Sequence, residues 1–142
     1  MSFDFKLENG DIQLSNEKDL DIVVDNEKLL QDLLKILVTP LGGNKAHSWY
    51  GSNIGEIQVG GVFDLDFSLE SSSAQARSAT ENLMRMQISQ AQTQILSPAE
   101  TITAIRDVYI NTNNQDSRVL EVKVSVLTSA LTVVTARFEV RL

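Results

Sequence analysis

The 142-residue chain has no cysteine, one histidine and two prolines. Without cysteine there is no disulfide, no zinc–thiolate centre and no thiol nucleophile. A catalytic triad would have to use His47, and Ser48-Trp49-Tyr50-Gly51 beside it is no nucleophile elbow. One histidine also supplies a metal site poorly. Asp64 and Asp66 share one face of an alternating segment and could meet a cation, although the solvated side of a half-buried strand is the plainer reading. Gly42-Gly43 and Gly60-Gly61 lack the following Lys-Ser/Thr of a phosphate loop. Trp49, Tyr50 and Tyr109 are the only Trp and Tyr residues, little surface for stacking a sugar. Glu81, Glu100 and Asp107 are conceivable acids for glycoside hydrolysis, but nothing marks a cleft around them. No cofactor is expected.

Basic residues are the minority, 12 against 19 acidic, for a net charge of −7. Binding nucleic acid through phosphates needs the opposite balance, and an anionic membrane surface is an equally poor partner. The charge is uneven: residues 1–71 hold 13 acidic and five basic side chains, residues 72–142 six and seven. No apolar run approaches the ~20 residues that span a bilayer, and the first residues do not read as a signal peptide. Folding in a cytoplasm is therefore expected. With 42% hydrophobic and 22% charged residues, the chain fits one globular domain over 1–142.

The pattern resolves into elements. Two short extended pieces between Phe3 and Leu14 flank Glu8-Asn9-Gly10-Asp11, a tight-turn signal. Leu20, Ile22, Val23 and Val24 suggest a short buried strand. Asp25 or Asn26 can cap a helix whose apolar stripe is Leu29, Leu30, Leu33, Leu34, Leu37 and Val38. Pro40 ends it and Gly42-Gly43 keeps it from resuming. Residues 42–53 read as an ordered loop anchored by Trp49-Tyr50. Phe63 to Glu70 alternates as a half-buried extended segment, after a bend at Gly60-Gly61.

Residues 72–96 read as the longest helix, closed by Pro98, with Ala76, Ala79, Leu83, Met86, Ala91 and Ile95 along one face. Met86 to Ala99 carries no charge; Gln87, Gln90, Gln92 and Gln94 supply its polarity. A solvated helix face usually carries Lys and Glu, and charge is depleted at interface centres, so this end suits contact with another protein. Three strands follow: Ile102–Ile110, Arg118–Leu127 and Leu131–Leu142. Leu120, Val122, Val124 and Val126 share one face of the second. Val134, Ala136, Phe138, Val140 and Leu142 share one face of the third. For these even-numbered sets to meet, the hairpin loop must hold an odd number of residues. A loop of Thr128-Ser129-Ala130 would pair Val124 with Val134 and Val122 with Ala136. The order is not alternating βαβ. It predicts an α+β domain, a small antiparallel sheet with a C-terminal β meander packed against two main helices. If the last strand or its neighbour lies at the sheet edge, unpaired backbone groups are available to a partner strand.

Leu29-Leu30-Gln31-Asp32-Leu33-Leu34-Lys35-Ile36-Leu37-Val38-Thr39-Pro40-Leu41-Gly42 resembles the helix-to-"TPxG" segment of the phage baseplate wedge family often labelled gene 25-like lysozyme. Tyr50-Gly51-Ser52 falls where that family has its "YGS" step. The resemblance spans roughly residues 10–142. It implies a non-enzymatic structural subunit of a contractile tail or related injection machine, placed in the virion's baseplate and assembled in the host cytoplasm. The implied partners are other baseplate wedge proteins, the tail sheath protein and the tail tube. As a sheath initiator, such a subunit would have its sheet extended by sheath strands along the edge carrying Val134, Ala136, Phe138, Val140 and Leu142. The family's acid-Pro-Arg motif falls here on Ser97, Pro98 and Ala99, where only the proline is kept. Glu100 or Arg106 could substitute in a contact to the wedge, with Gln90 and Gln94 beside it. The family label offers the rival expectation of a peptidoglycan hydrolase, and a generic β-edge binding module is a third.

Overall fold

The computed structural model describes residues 2–9, 11–17, 19–54, 65–116 and 118–141. Four two-residue strands come first: β1 (Asp4–Phe5), β2 (Leu7–Glu8), β3 (Asp11–Ile12) and β4 (Ile22–Val23). Helices α1 (Asp25–Val38) and α2 (Leu65–Gln90) follow, then β5 (Ile102–Thr112), β6 (Val119–Thr128) and β7 (Val133–Arg141). The last three form an antiparallel sheet in the order β5-β6-β7. This is the α+β architecture expected from the pattern, with two main helices and a terminal meander.

Periodicity explains the packing. Leu29, Leu33, Ile36 and Leu37 on α1 are fully shielded from solvent, and meet Ala76, Ala79 and Leu83 of α2. The sheet contributes Ile102, Val122, Val124, Val126, Val134 and Ala136 to the same core. α1 packs on β7 and α2 on β5, so the helices cover one face of the sheet. Each leucine so buried contributes about 1.5–3 kcal/mol of transfer free energy.

The β6–β7 register pairs Val126 with Val134, Val124 with Ala136, Val122 with Phe138 and Leu120 with Val140. The odd-loop parity therefore holds, but the pairing lies two residues from the one expected. The reason is local. Thr128 N–H donates to the Thr132 carbonyl at 2.9 Å, their hydroxyls meet at 2.7 Å, and Leu131 takes a positive φ of 62°. The loop thus still holds three residues, Ser129-Ala130-Leu131, but sits one position further along the chain, which moves every partner by two.

Three further expectations are corrected. The alternation over Phe63–Glu70 is helical from Leu65 onward; Phe63, Asp64 and Gly60-Gly61 lie outside the described residues. A short period-two pattern cannot compete once a long helix lies beside it, because propagation adds a hydrogen bond for each residue fixed. At its other end α2 stops at Gln90, and residues 91–94 form turns, leaving Ile95 81% exposed rather than on the core face. Asp25 and Asn26 do not cap α1. The N-cap is Val24, without a side-chain cap bond, and the two side chains instead accept from Ser97 Oγ and Thr132 Oγ1.

The Thr-Pro-Leu-Gly and Tyr-Gly-Ser motifs meet in space. Ser52 N–H donates to Thr39 O at 2.9 Å and Leu41 N–H to Ser52 O at 3.3 Å, while the buried Ser52 hydroxyl donates to Leu37 O. Gly51 makes this approach possible. Its φ is +117°, and a Cβ there would lie 2.5 Å from Thr39 O and 2.8 Å from Pro40 O, both fixed backbone atoms. The clasp closes the end of α1 and seats Tyr50 against the core.

The N-terminal strands join in an unusual way. Lys6 N–H donates to Asp21 O at 2.9 Å, Asp21 N–H to Gln13 O at 3.0 Å, and Gln13 N–H to Lys6 O at 3.0 Å. Those three bonds close a ring. From it run three antiparallel arms, in which Phe5 lies opposite Ile22, Leu7 opposite Ile12 and Leu14 opposite Leu20. The buried strand expected from Leu20 to Val24 is buried only at Val23; Leu20 and Ile22 are exposed.

Gly51→Ala is expected to destabilise the protein by about 2–4 kcal/mol, since both the φ and the backbone contacts forbid a side chain. Urea denaturation of the variant against the native chain measures it.

Candidate partner-binding surfaces

The sequence points to two places for a partner: the outer edge of β7, and the turn between α2 and β5 with the helix end beside it. Among the described residues neither edge strand of the three-stranded sheet pairs outward. The two edges differ. β5 carries register irregularities between Ile102 and Ala104 and between Ile105 and Asp107. β7 runs in regular register from Val133 to Arg141. Bulges blunt an edge by twisting it, so β7 is the edge that a further strand can follow.

The ladder settles which residues of β7 face outward. Thr128 and Thr132 form a hydrogen-bonded pair at the hairpin, and such pairs recur every second residue. The even-numbered residues of β7 therefore bond to β6. The N–H and C=O groups of Val133, Thr135, Arg137, Glu139 and Arg141 turn away from it. Of the side chains expected at this edge, Val134 and Ala136 are buried and Phe138 and Val140 are partly buried, all pointing into the core face; Leu142 lies outside the described residues. Their role is to hold the strand, and the free backbone belongs to their odd-numbered neighbours.

Beside the C-terminal half of β7 lies a groove of about 340 Å³. Leu37, Val38, Pro40, Ser52 and Ile54 form its far wall, and residues 138–141 its near one. Val38 is more than half exposed there. The outer sheet face carries charge in rows. Lys123 lies opposite Arg137, with Tyr109 on the other side of Lys123, and Glu121 lies opposite Glu139. Like charges directly across strands cost stability.

The turn after α2 is held from inside. Glu100 is 1% exposed. Its carboxylate accepts from Ser97 N–H at 2.9 Å and from the Ser2 hydroxyl at 2.9 Å to both oxygens. The Gln87 amide reaches in from α2, donating to Glu100 O at 2.7 Å and accepting from Ile102 N–H at 2.9 Å. Ser97 Oγ donates to Asp25 at 2.6 Å, and Ala130 N–H donates to Pro98 O at 3.2 Å. Glu100 is thus an internal fastener, and its expected contact to a partner is corrected by its burial. Gln87, read in the sequence as surface polarity, is also internal. Outside remain Pro98 and Gln94, with Ser97, Ala99 and Gln90 half-buried, and Arg106 exposed on β5. Sequence reasoning placed Ile95 in the core; here it and Ile88 stand exposed among these uncharged residues.

Carboxylates elsewhere bear on catalysis. Burial pushes Asp32 above its ordinary value of 3.8, opposed by its bond to Lys28 at 2.6 Å. Burial alone would raise Asp4 too, but Lys35, Gln31 and the Phe5 N–H together hold it low. Burial, then the negative charges of Asp32 and Asp4, raises Tyr50. Each of the two acids is engaged by a lysine, and the hollow they line with Ser2, Phe3 and Met86 measures only about 220 Å³. Glu81 and Asp107, the other acids considered from sequence, lie exposed on α2 and β5.

No protein-family model matches the chain, and no curated protein does. The fold is shared with a solved crystal structure, a "putative tail lysozyme" from Geobacter sulfurreducens, with a TM-score of 0.59 over 93% of this chain and 96% of that one, at 13% identity. At that identity the likeness is one of architecture.

Glu100→Ala is expected to cost about 2–4 kcal/mol, because it strands the Ser97 N–H and the Ser2 hydroxyl in a dry site. Glu100→Gln should cost less. Equilibrium unfolding of both variants checks the order, and an unchanged stability for Glu100→Ala would contradict it.

Proposed function

We propose that this chain is a structural subunit of a contractile-tail baseplate, an inner-wedge piece at which the sheath begins, and that it carries no catalytic activity. The observation that supports this reading best is the regular outer edge of β7 opening on an apolar groove. A strand laid there gains backbone hydrogen bonds from Thr135, Arg137, Glu139 and Arg141. Side chains on its inward face would enter the groove between Val38 and Phe138, which gives register as well as affinity. The fold shared with a structure whose name refers to a tail supports the setting, as does the Thr39–Gly42 and Tyr50–Ser52 clasp. In this reading the uncharged surface of Pro98, Ala99, Gln90 and Gln94, with Ile88 and Ile95, meets the wedge, and β7 meets the sheath protein.

The test uses proline on the edge. Arg137→Pro removes an N–H that turns outward and leaves the β6–β7 ladder intact, a substitution edge strands tolerate. The variant should fold with nearly native stability, yet tails carrying it should lack sheath. Arg137→Ala, which keeps the N–H, should assemble. Normally sheathed particles from a folded Arg137→Pro variant would overturn the assignment of this edge.

A hydrolase reading draws on the neighbour's name and on the raised Asp32 beside Asp4. It requires turbidity loss from a cell-wall suspension, abolished by Asp32→Asn. We expect no turbidity loss with either protein. Clearance by the native chain alone would establish the enzyme.

A further inference from the structure

The three-armed N-terminal sheet is inverted. Residues two apart on a strand share a face, and residues directly opposite share it too. Phe5 and Leu7 flank Lys6, Ile12 and Leu14 flank Gln13, and Leu20 and Ile22 flank Asp21. The pairs Phe5–Ile22, Leu7–Ile12 and Leu14–Leu20 then place all six apolar side chains on one face, as a ring around the junction. Lys6, Gln13 and Asp21 point to the other face, where Lys6 and Asp21 pair at 3.8 Å.

The polar face is the one turned to the protein. Asp4 shares it with Lys6 and is bound by α1. Val23 shares it with Asp21 and is 4% exposed. Gln31 also holds the free backbone edge of the strand. Leu7 N–H donates to Gln31 Oε1 at 2.8 Å. Gln31 Nε2 donates to Phe5 O at 2.8 Å and to Asp4 at 3.0 Å, and Lys35 pairs with Asp4. The apolar ring faces outward, each member between 38% and 61% exposed, with Phe3 just beyond it at 60%. Seven such side chains make a patch on the order of several hundred Å², the size at which an exposed apolar surface marks an interaction site.

The charge around the ring says what covers it. Residues 1–24 hold six acidic and two basic side chains. Glu8 and Asp11 are exposed at the end of one arm, Glu17 and Asp19 at the end of another. A second copy would bring acids against acids. The chain's own residues 55–64 carry Glu56 and Asp64 and no cation, the wrong sign again. An anionic membrane is repelled for the same reason. The two acidic ends are joined by residues 11–15, a reach of at most roughly 17 Å. An α-helix covers that distance in about 11 residues, with a diameter suited to lying across a sheet face.

We infer that this face is the docking site for a basic amphipathic helix of a partner protein, apolar along one stripe with Lys or Arg at both ends. The site is separate from the edge of β7 and does not depend on the tail reading.

The test uses the full chain, labelled with ¹⁵N. The probe is a helical peptide of about 14 residues (~21 Å at 1.5 Å per residue), with leucine along one stripe and lysine elsewhere. Its counterpart replaces every lysine with glutamate. The Leu/Lys peptide should bind saturably and shift the amides of Phe5, Leu7, Ile12, Leu14, Leu20 and Ile22. The Leu/Glu peptide should bind at least about tenfold more weakly, a factor of ten corresponding to ~1.4 kcal/mol. Leu14→Ser with Leu20→Ser should weaken the Leu/Lys peptide by a similar factor while leaving thermal unfolding of the core unchanged. If that double variant unfolds, Glu17→Lys with Asp19→Lys keeps the test, and should weaken the same peptide. Equal binding of the two peptides, or shifts confined to other surfaces, would overturn the inference. So would sedimentation showing a dimer that Leu14→Ser with Leu20→Ser breaks, because the occupant would then be a second copy.

Discussion

A carboxylate taken almost wholly out of water stays in a fold only if donors are aimed at it beforehand. Glu100 is that group here, and the parts of the chain that supply or surround its donors are far apart in sequence. Ser2 brings the N-terminus, Ser97 the turn after α2, and Gln87 the helix itself, whose amide stands in for a neighbouring strand against Glu100 and Ile102. The same turn accepts from Ala130 of the β6–β7 hairpin and donates to Asp25 at the start of α1. Both helices, the N-terminal segment and the meander therefore meet around one buried charge. The core supplies most of the favourable free energy through burial, but it is non-directional; this cluster fixes how the layers are aligned.

That arrangement also explains what the sequence disclosed and what it hid. The α1 stripe, the two alternating strands and their parity were legible because each is a local period imposed by burial on one side. The β6–β7 pairing was two residues off because the deciding bonds, Thr128 with Thr132, belong to the turn rather than to the pattern. Glu100 and Gln87 could not be told from surface polarity. Their burial depends on Ser2 and Ile102, and a buried polar residue has no periodic signature until its partners are known. Ile95 misled in the opposite direction: at helical spacing it fits the core face, but α2 ends before reaching it. A charge-free stretch such as Met86–Ala99 thus held two different things, an internal amide and an exposed uncharged surface.

The candidate surfaces divide in the same manner. The apolar residues of β7 were visible in the sequence, yet a partner strand would bond to the residues between them. Sequence alternation shows which side chains are buried, and backbone polarity follows from the hairpin. The N-terminal sheet was less legible still. Leu20 and Ile22 read as part of a buried strand, since an apolar run says that a face is hidden without saying whether the chain itself hides it. Here Gln31, Asp4 and Lys35 bind the polar side inward, so the apolar side is left for something else.

The two edges of the meander differ in a way that limits assembly. β5 is irregular at two places near its start, while β7 keeps an even ladder along its whole length. A sheet with two equivalent edges can insert anywhere in a growing row of strands and can propagate without limit. A sheet with one followable edge has a valency of one. In the proposed role it would stand at the end of a row rather than bridge two, and the length of a strand array built on it would be counted from this chain outward in a single direction.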